Sequence, residues 1–78
     1  SPKDVAYGFV FSRESENQNR NNADYTEMLY NLCLGRASEA AGKADWVGRL
    51  EQGTSREEVY WGFANSQEFG NIIASYGL

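Results

Sequence analysis

Val59-Tyr60-Trp61-Gly62-Phe63-Ala64-Asn65-Ser66-Gln67-Glu68 repeats a stretch near the start of the chain, Val5-Ala6-Tyr7-Gly8-Phe9-Val10-Phe11-Ser12-Arg13-Glu14, with Val, Gly, Phe, Ser and Glu at matching positions. The offset, 59 − 5 = 54 residues, suits one small helical unit and is too long for a hairpin. The pattern V-x-x-G-F-x-x-S-x-E therefore divides a single helical module, 1–78, into the end of one repeat with its linker (1–22) and one complete repeat (23–78). The chain reads as a slice of a longer array. A recurring set of core and capping residues is what packing alone requires, so the repeat speaks to architecture rather than activity.

Outward from the second copy, Ser55-x-x-Glu58 is a capping box that opens a helix with Val59, Gly62 and Phe63 turned inward. Ser66 re-caps the chain into a further helix with Phe69, Ile72, Ile73 and Tyr76 on one face before Gly77. Before it, Asn21-x-x-Asp24 caps a helix with apolar residues at Tyr25, Met28, Leu29, Leu32 and Cys33, stopped by Gly35 in a left-handed turn. Ser38 is placed to cap the next helix, which carries Trp46, Val47 and Leu50 and ends at Gly53; Gly42 inside it suggests close approach of another helix. Ser1-Pro2 starts a first helix over about 2–11, with Val5, Gly8 and Phe9 on one face, packed through Phe9 on the Tyr25–Cys33 helix. In the polar, Asn-rich segment 12–22, Ser15, Gln18 and Asn19 stand where the second copy has Phe69, Ile72 and Ile73, which predicts a linker with at most one helical turn. No strand pattern competes, and the expected fold is an all-α compact bundle of about five short helices.

Composition removes several functions. A chain of 78 residues forms one domain burying roughly 60–65% of its unfolded surface, so its aromatic residues, 14% of the chain, matter to the core. A net charge of −4 disfavours nucleic acid and anionic membrane, both of which need a basic face. With no His and a single Cys33, Cys/His zinc sites and Ser-His or Cys-His nucleophile pairs are excluded. No apolar run is long enough for membrane insertion. No cofactor is implied.

The order Leu34-Gly35-Arg36, Ala41-Gly42, Trp46-Val47, Leu50, Gly53, Ser55-Arg56-Glu57-Glu58-Val59, Gly62-Phe63 and Ser66-x-Glu68-Phe69 resembles the helical domain-of-unknown-function family 4214. The resemblance spans about Tyr25 to Phe69 and, through the repeat, the start of the chain. It implies a non-catalytic accessory module of a large secreted or surface-attached bacterial protein, with an extracellular or cell-surface location, similar to the helical domain of phycobilisome linker polypeptides. Ser38 stands where that family usually has Asp, and Asp45 precedes Trp46 where an aromatic is common. If the usual Asp or aromatic touches a ligand, this copy would bind it weakly or differently.

The candidate binding residues are Tyr7, Trp61, Arg36 and Asp45. At about 100° per residue, Trp61 lies some 160–200° from Val59 and Phe63, and Tyr7 holds the same slot in the first copy. The two rings could pack between units, meet a partner protein or stack on a glycan. Arg36 follows the Gly35 stop, where a guanidinium bonds free carbonyls, pairs with Glu39 or meets a ligand. Cys33 reads as a small buried hydrophobe. Asn17, Asn19, Asn21 and Asp24 resemble the start of a calcium loop but supply one carboxylate, so helix capping accounts for them and no metal is assigned. Glu14, Glu16, Asp45, Glu57, Glu58 and Glu68 could offer a pair for acid–base chemistry, although a thin bundle gives such a pair no cleft. The leading functional expectation is a non-catalytic module that binds a glycan, a cell-wall polymer or a protein; the alternative is a spacer repeat that contacts neighbouring repeats alone.

Overall fold

The computed structural model describes residues 1–77 as six α-helices: α1 (Pro2–Val10), α2 (Arg13–Glu16), α3 (Asn22–Leu34), α4 (Ala40–Glu51), α5 (Arg56–Ala64) and α6 (Gln67–Ser75). Among the described residues there is no strand. The principal extents of 36 × 30 × 19 Å make the bundle about two helix diameters thick, at ~10 Å per helix. α3 is the hub, with α4, α5 and α6 packed against it.

The duplicated motif recurs as duplicated hydrogen bonding. Ser12 and Ser66 are N-caps of α2 and α6, accepting from Ser15 N at 3.2 Å and Phe69 N at 3.2 Å, while their hydroxyls donate back to the Phe9 and Phe63 carbonyls at 2.9 and 2.7 Å. Ser1 and Ser55 likewise cap α1 and α5. Each cap satisfies backbone N–H groups that the first helical turn leaves free. Where the second copy continues into α6, α2 stops after four residues, because the apolar positions that would anchor it are polar. The single helical turn in the linker is what that loss of anchors leaves.

α3 begins at Asn21, whose side chain accepts from Asp24 N at 2.8 Å, and stops at Gly35 with φ 63°, a left-handed conformation that glycine adopts without a Cβ penalty. Its buried arc comprises Tyr25, Leu29, Cys33, Thr26, Tyr30 and Leu34, a sweep of about 180° at 100° per residue. That arc is rotated from the expected stripe, and two assignments are corrected by it. Leu32 lies just outside the arc and is 39% exposed, and Met28 is only partly buried. Thr26 and Tyr30 take their places; Thr26 Oγ1 donates to the Asn22 carbonyl at 2.8 Å, so its hydroxyl is satisfied in the core.

The first helix also differs from expectation. Phe9 is 55% exposed and Val5 74%, so Phe9 is no core residue and does not anchor α1 to α3. α1 is held instead through Tyr7, Val10 and Ala6, an arc centred about 150° further round the helix. α5 buries both arcs, with Val59 and Phe63 on one and Tyr60 and Ala64 on the other.

Ser38 does not cap α4. The N-cap is Glu39, with no side-chain cap bond, and the Ser38 N–H and hydroxyl both donate to Glu27, at 2.9 and 2.6 Å. Within α4, Leu50 is buried, Trp46 packs on the core and Val47 is half-buried. In α6, Phe69 is buried and Ile73 packs on the core, whereas Ile72 is half-buried and Tyr76 exposed. These last positions cap a bundle too thin to enclose both sides of a terminal helix. Gly42 admits Tyr30: a Cβ there would collide with the Tyr30 hydroxyl and the Glu39 carboxylate.

Candidate functional site

Three clusters gather the chemistry-bearing side chains. The first joins the two motif copies. Tyr7 stacks on Trp61 with ring centroids 5.7 Å apart and planes at 26°, and meets Tyr60 edge-on at 5.6 Å and Phe11 at 4.7 Å. Tyr60 is fully buried, its ring edge-on to Trp61 at 5.1 Å, and its hydroxyl donates to the Lys3 carbonyl at 2.6 Å. The Tyr7 hydroxyl donates to Glu57 Oε1 at 2.7 Å. That bond, with partial desolvation, pushes the Tyr7 phenol above its usual range, and burial pushes Tyr60 up to about 12. Both stay neutral donors at ordinary pH. Tyr7 and Trp61, which the sequence marks as off-core aromatics, are thus brought together, each half-buried against the other.

The second cluster is built on Arg36. Its Nε and Nη2 donate to the two carboxylate oxygens of Glu68 at 2.7 and 2.9 Å, and its Nη1 to Glu39 and to the Ala37 carbonyl. Four of five guanidinium N–H groups are therefore engaged, in the forked geometry that suits a carboxylate. The plane lies 5.2 Å from the Tyr30 ring centroid, and the Tyr30 hydroxyl donates to Glu39 Oε1 at 3.1 Å. Arg36 holds Glu39 and Glu68 below the usual carboxylate range. The cluster ties the end of α3 to the starts of α4 and α6, and leaves the guanidinium little to offer a ligand. Asp45, on the exposed face of α4, pairs with Arg49 at 3.0 Å, and Arg49 covers the Trp46 ring at 4.6 Å. It lies apart from both clusters.

The third cluster has a cleft of about 440 Å³ beside it, lined by Val10, Phe11, Ser15, Glu16, Asn19, Arg20, Tyr25 and Arg56. Arg20 donates to the Ser15 carbonyl and hydroxyl, both at 3.0 Å. Arg56 donates to the Arg20 carbonyl at 2.8 Å and to Asn22 at 3.1 Å, and sits 4.7 Å from the Tyr25 ring, whose hydroxyl donates to the Arg56 carbonyl at 2.8 Å. Arg56 clamps the linker onto α5, and Arg20 closes the linker back onto α2. In the same linker, Asn21 is engaged as an N-cap, and no cluster of three His, Cys, Asp or Glu able to hold an ion occurs among the described residues.

Some residues that organise these clusters had no signal of their own type in the sequence. Tyr60 was legible only through the second buried arc of α5, where Tyr60 and Ala64 stand at the positions of Ala6 and Val10 of the first copy, and the Glu57 contact, with Tyr7 50 residues away, had no local signal. Glu27 was hidden because its partners lie 11 and 16 residues away: it accepts from Ser38 and from Lys43 at 3.1 Å. The Ser38 bonds, followed by that of Lys43, hold its carboxyl at about 2. Cys33 is buried, and burial raises its thiol to about 11, leaving it protonated and unreactive at neutral pH.

No curated protein and no solved structure matches the chain. A family model does, over residues 5–73, a span that takes in both copies of the motif and the Arg36 cluster. The chain therefore belongs to the family described as Domain of unknown function (DUF4214).

Proposed function

We propose that the chain is a non-catalytic structural repeat module, a spacer unit of a secreted or surface-attached protein whose working contacts are with neighbouring helical units. The observation that carries this reading is the junction of Tyr7, Tyr60 and Trp61. The two off-core rings that would have served a glycan or a partner are spent on each other, and Glu57 fixes the hydroxyl end. The other candidate residues point the same way: Arg36 is engaged by Glu39 and Glu68, and Asp45 by Arg49. No helix among the described residues is long and apolar enough to cross a membrane.

Trp61→Ala tests the proposal. Loss of a half-buried indole and its stacking should cost about 1–3 kcal/mol, lower the melting temperature and release α1, read as lost helical circular dichroism. A variant that keeps its melting temperature while the parent chain, and not the variant, binds on a glycan array would overturn the spacer reading and restore the binding one.

A further inference from the structure

We infer that the uncovered face of α1 docks the α3–α4 helix pair of another unit of the same family, with a tryptophan indole lying over Gly8. The inference rests on the repeat-module reading and names the partner and the face.

The molecule contains its own template. In the complete unit, Phe63 is 3% exposed, edge-on to Tyr30 of α3 at 4.9 Å and against Trp46 of α4 at 4.9 Å. Gly62 makes room for that indole: a Cβ there would come within 2.6 Å of Trp46 Cη2. α1 carries the same residues in the same register, Val5, Gly8 and Phe9, with matching serine caps at both ends. Yet Val5 and Phe9 are exposed, and a Cβ on Gly8 would meet nothing within 4 Å. A glycine inside a helix weakens it, and Gly8 lacks within this chain the reason that Gly62 has.

The exposed face is more than scattered apolar residues. Pro2, Val5, Ala6, Phe9, Leu32 and Phe69 line one open apolar groove of about 560 Å³, formed where α1 overhangs α3 and α6. Leu32, displaced from the core, is explained by its place there. A second folded copy of this chain does not fit the role, because its own α3–α4 face is already filled by Val59 and Phe63 of α5. The occupant is an α3–α4 pair that lacks an α5 of its own, with aromatic residues at the positions of Tyr30 and Trp46.

Because Ser1 corresponds to Ser55, residues 21–54 of this chain placed directly before Ser1 supply such a pair in the natural register. The probe is this extended chain, compared with the unextended one. Val5→Cys should react rapidly with a thiol reagent in the unextended chain, where Cys33 is buried, and at least tenfold more slowly in the extended chain. Gly8→Ala should leave the unextended chain's melting temperature unchanged or raised, while lowering that of the extended chain by several degrees and restoring the labelling rate. Equal labelling in both chains, an equal effect of Gly8→Ala in both, or added residues that contribute no helicity would overturn the inference. So would a concentration-dependent dimer of the unextended chain that protects residue 5, since the face would then belong to a second copy. Trp61→Ala reports on the α1–α5 junction alone, so the two readings fail separately.

Discussion

Phe63→Ala and Phe9→Ala are the same substitution at equivalent positions of the two motif copies, and the structure assigns them different costs. Phe63 is 3% exposed between Tyr30 and Trp46, each ring centroid 4.9 Å away. Removing a fully buried Phe forfeits its transfer free energy and leaves a cavity, about 3–5 kcal/mol together. At 0.05–0.15 kcal/mol per residue, 78 residues hold roughly 4–12 kcal/mol in all. With about 4–8 °C of melting temperature per kcal/mol for a domain this small, the midpoint should fall by more than about 12 °C, and the weaker end of the range leaves the variant unfolded. Phe9 is 55% exposed, so truncation removes little buried area, and Ala adds about 0.5 kcal/mol of helix propensity. Its midpoint should move by only two or three degrees. Thermal melts followed at 222 nm, with urea titrations to separate stability from denatured-state effects, measure both. Equal shifts for the two variants would refute the assignment of one arc of α1 to solvent and the equivalent arc of α5 to the core.

Gly62→Ala should destabilise by about 1–3 kcal/mol through overpacking against Trp46, read as a lower urea midpoint at unchanged slope. Glu27, Glu39 and Glu68 have carboxyl groups held below their unfolded value of 4.5. The stability they contribute is present above that pH and is lost as pH falls toward about 2, and Glu27→Gln should flatten the acid limb of a stability–pH curve. Cys33 and Tyr60 are raised, to about 11 and 12. Their contribution is complete below the unfolded values of 9.0 and 10.0 and declines as pH rises through the folded ones, so Cys33→Ala should shift the onset of alkaline unfolding. Millimolar calcium should leave the melting temperature unchanged, since an ion bound by the Asn-rich linker would raise it by mass action; a rise reversed by chelator would overturn the capping role given to Asn21.

The parts of the fold written in local spacing were legible. Ser55, Ser66, Asn21 and Gly35 act within three or four residues of themselves, so cap and stop chemistry located most helix ends. Helix orientation was less so. Leu32 and Phe9 have apolar spacing that matches a core stripe, but which arc of a helix is covered depends on how many neighbours it has. α3 has three and α1 essentially one partner side, a property of the tertiary arrangement rather than of either sequence. Ser38 failed as a cap because α4 starts one residue later, with Glu39 as its N-cap, while Glu27, 11 residues upstream, holds the Ser38 N–H and hydroxyl in another contact. At the candidate site, the shared off-core slot of Tyr7 and Trp61 was visible from the repeat, whereas the Glu57 bond and the Glu68 fork on Arg36, 50 and 32 residues apart, were not.

The one-sided attachment of α1 divides the molecule into two parts with different sources of cohesion. Residues 22–75 enclose a core of their own around α3, but the α1–α2 segment encloses nothing. Its stability is a nearest-neighbour interface term without an intrinsic one, supplied by the rings of Tyr7, Phe11, Tyr60 and Trp61, by Val10, and by the bonds from Tyr60 to Lys3 and from Tyr7 to Glu57 across 57 and 50 residues. Opening of that segment is therefore a sub-global event, cheaper than global unfolding. Amide exchange should sort into two tiers, α1 and α2 exchanging through the low one and the centre of α3 through the high one.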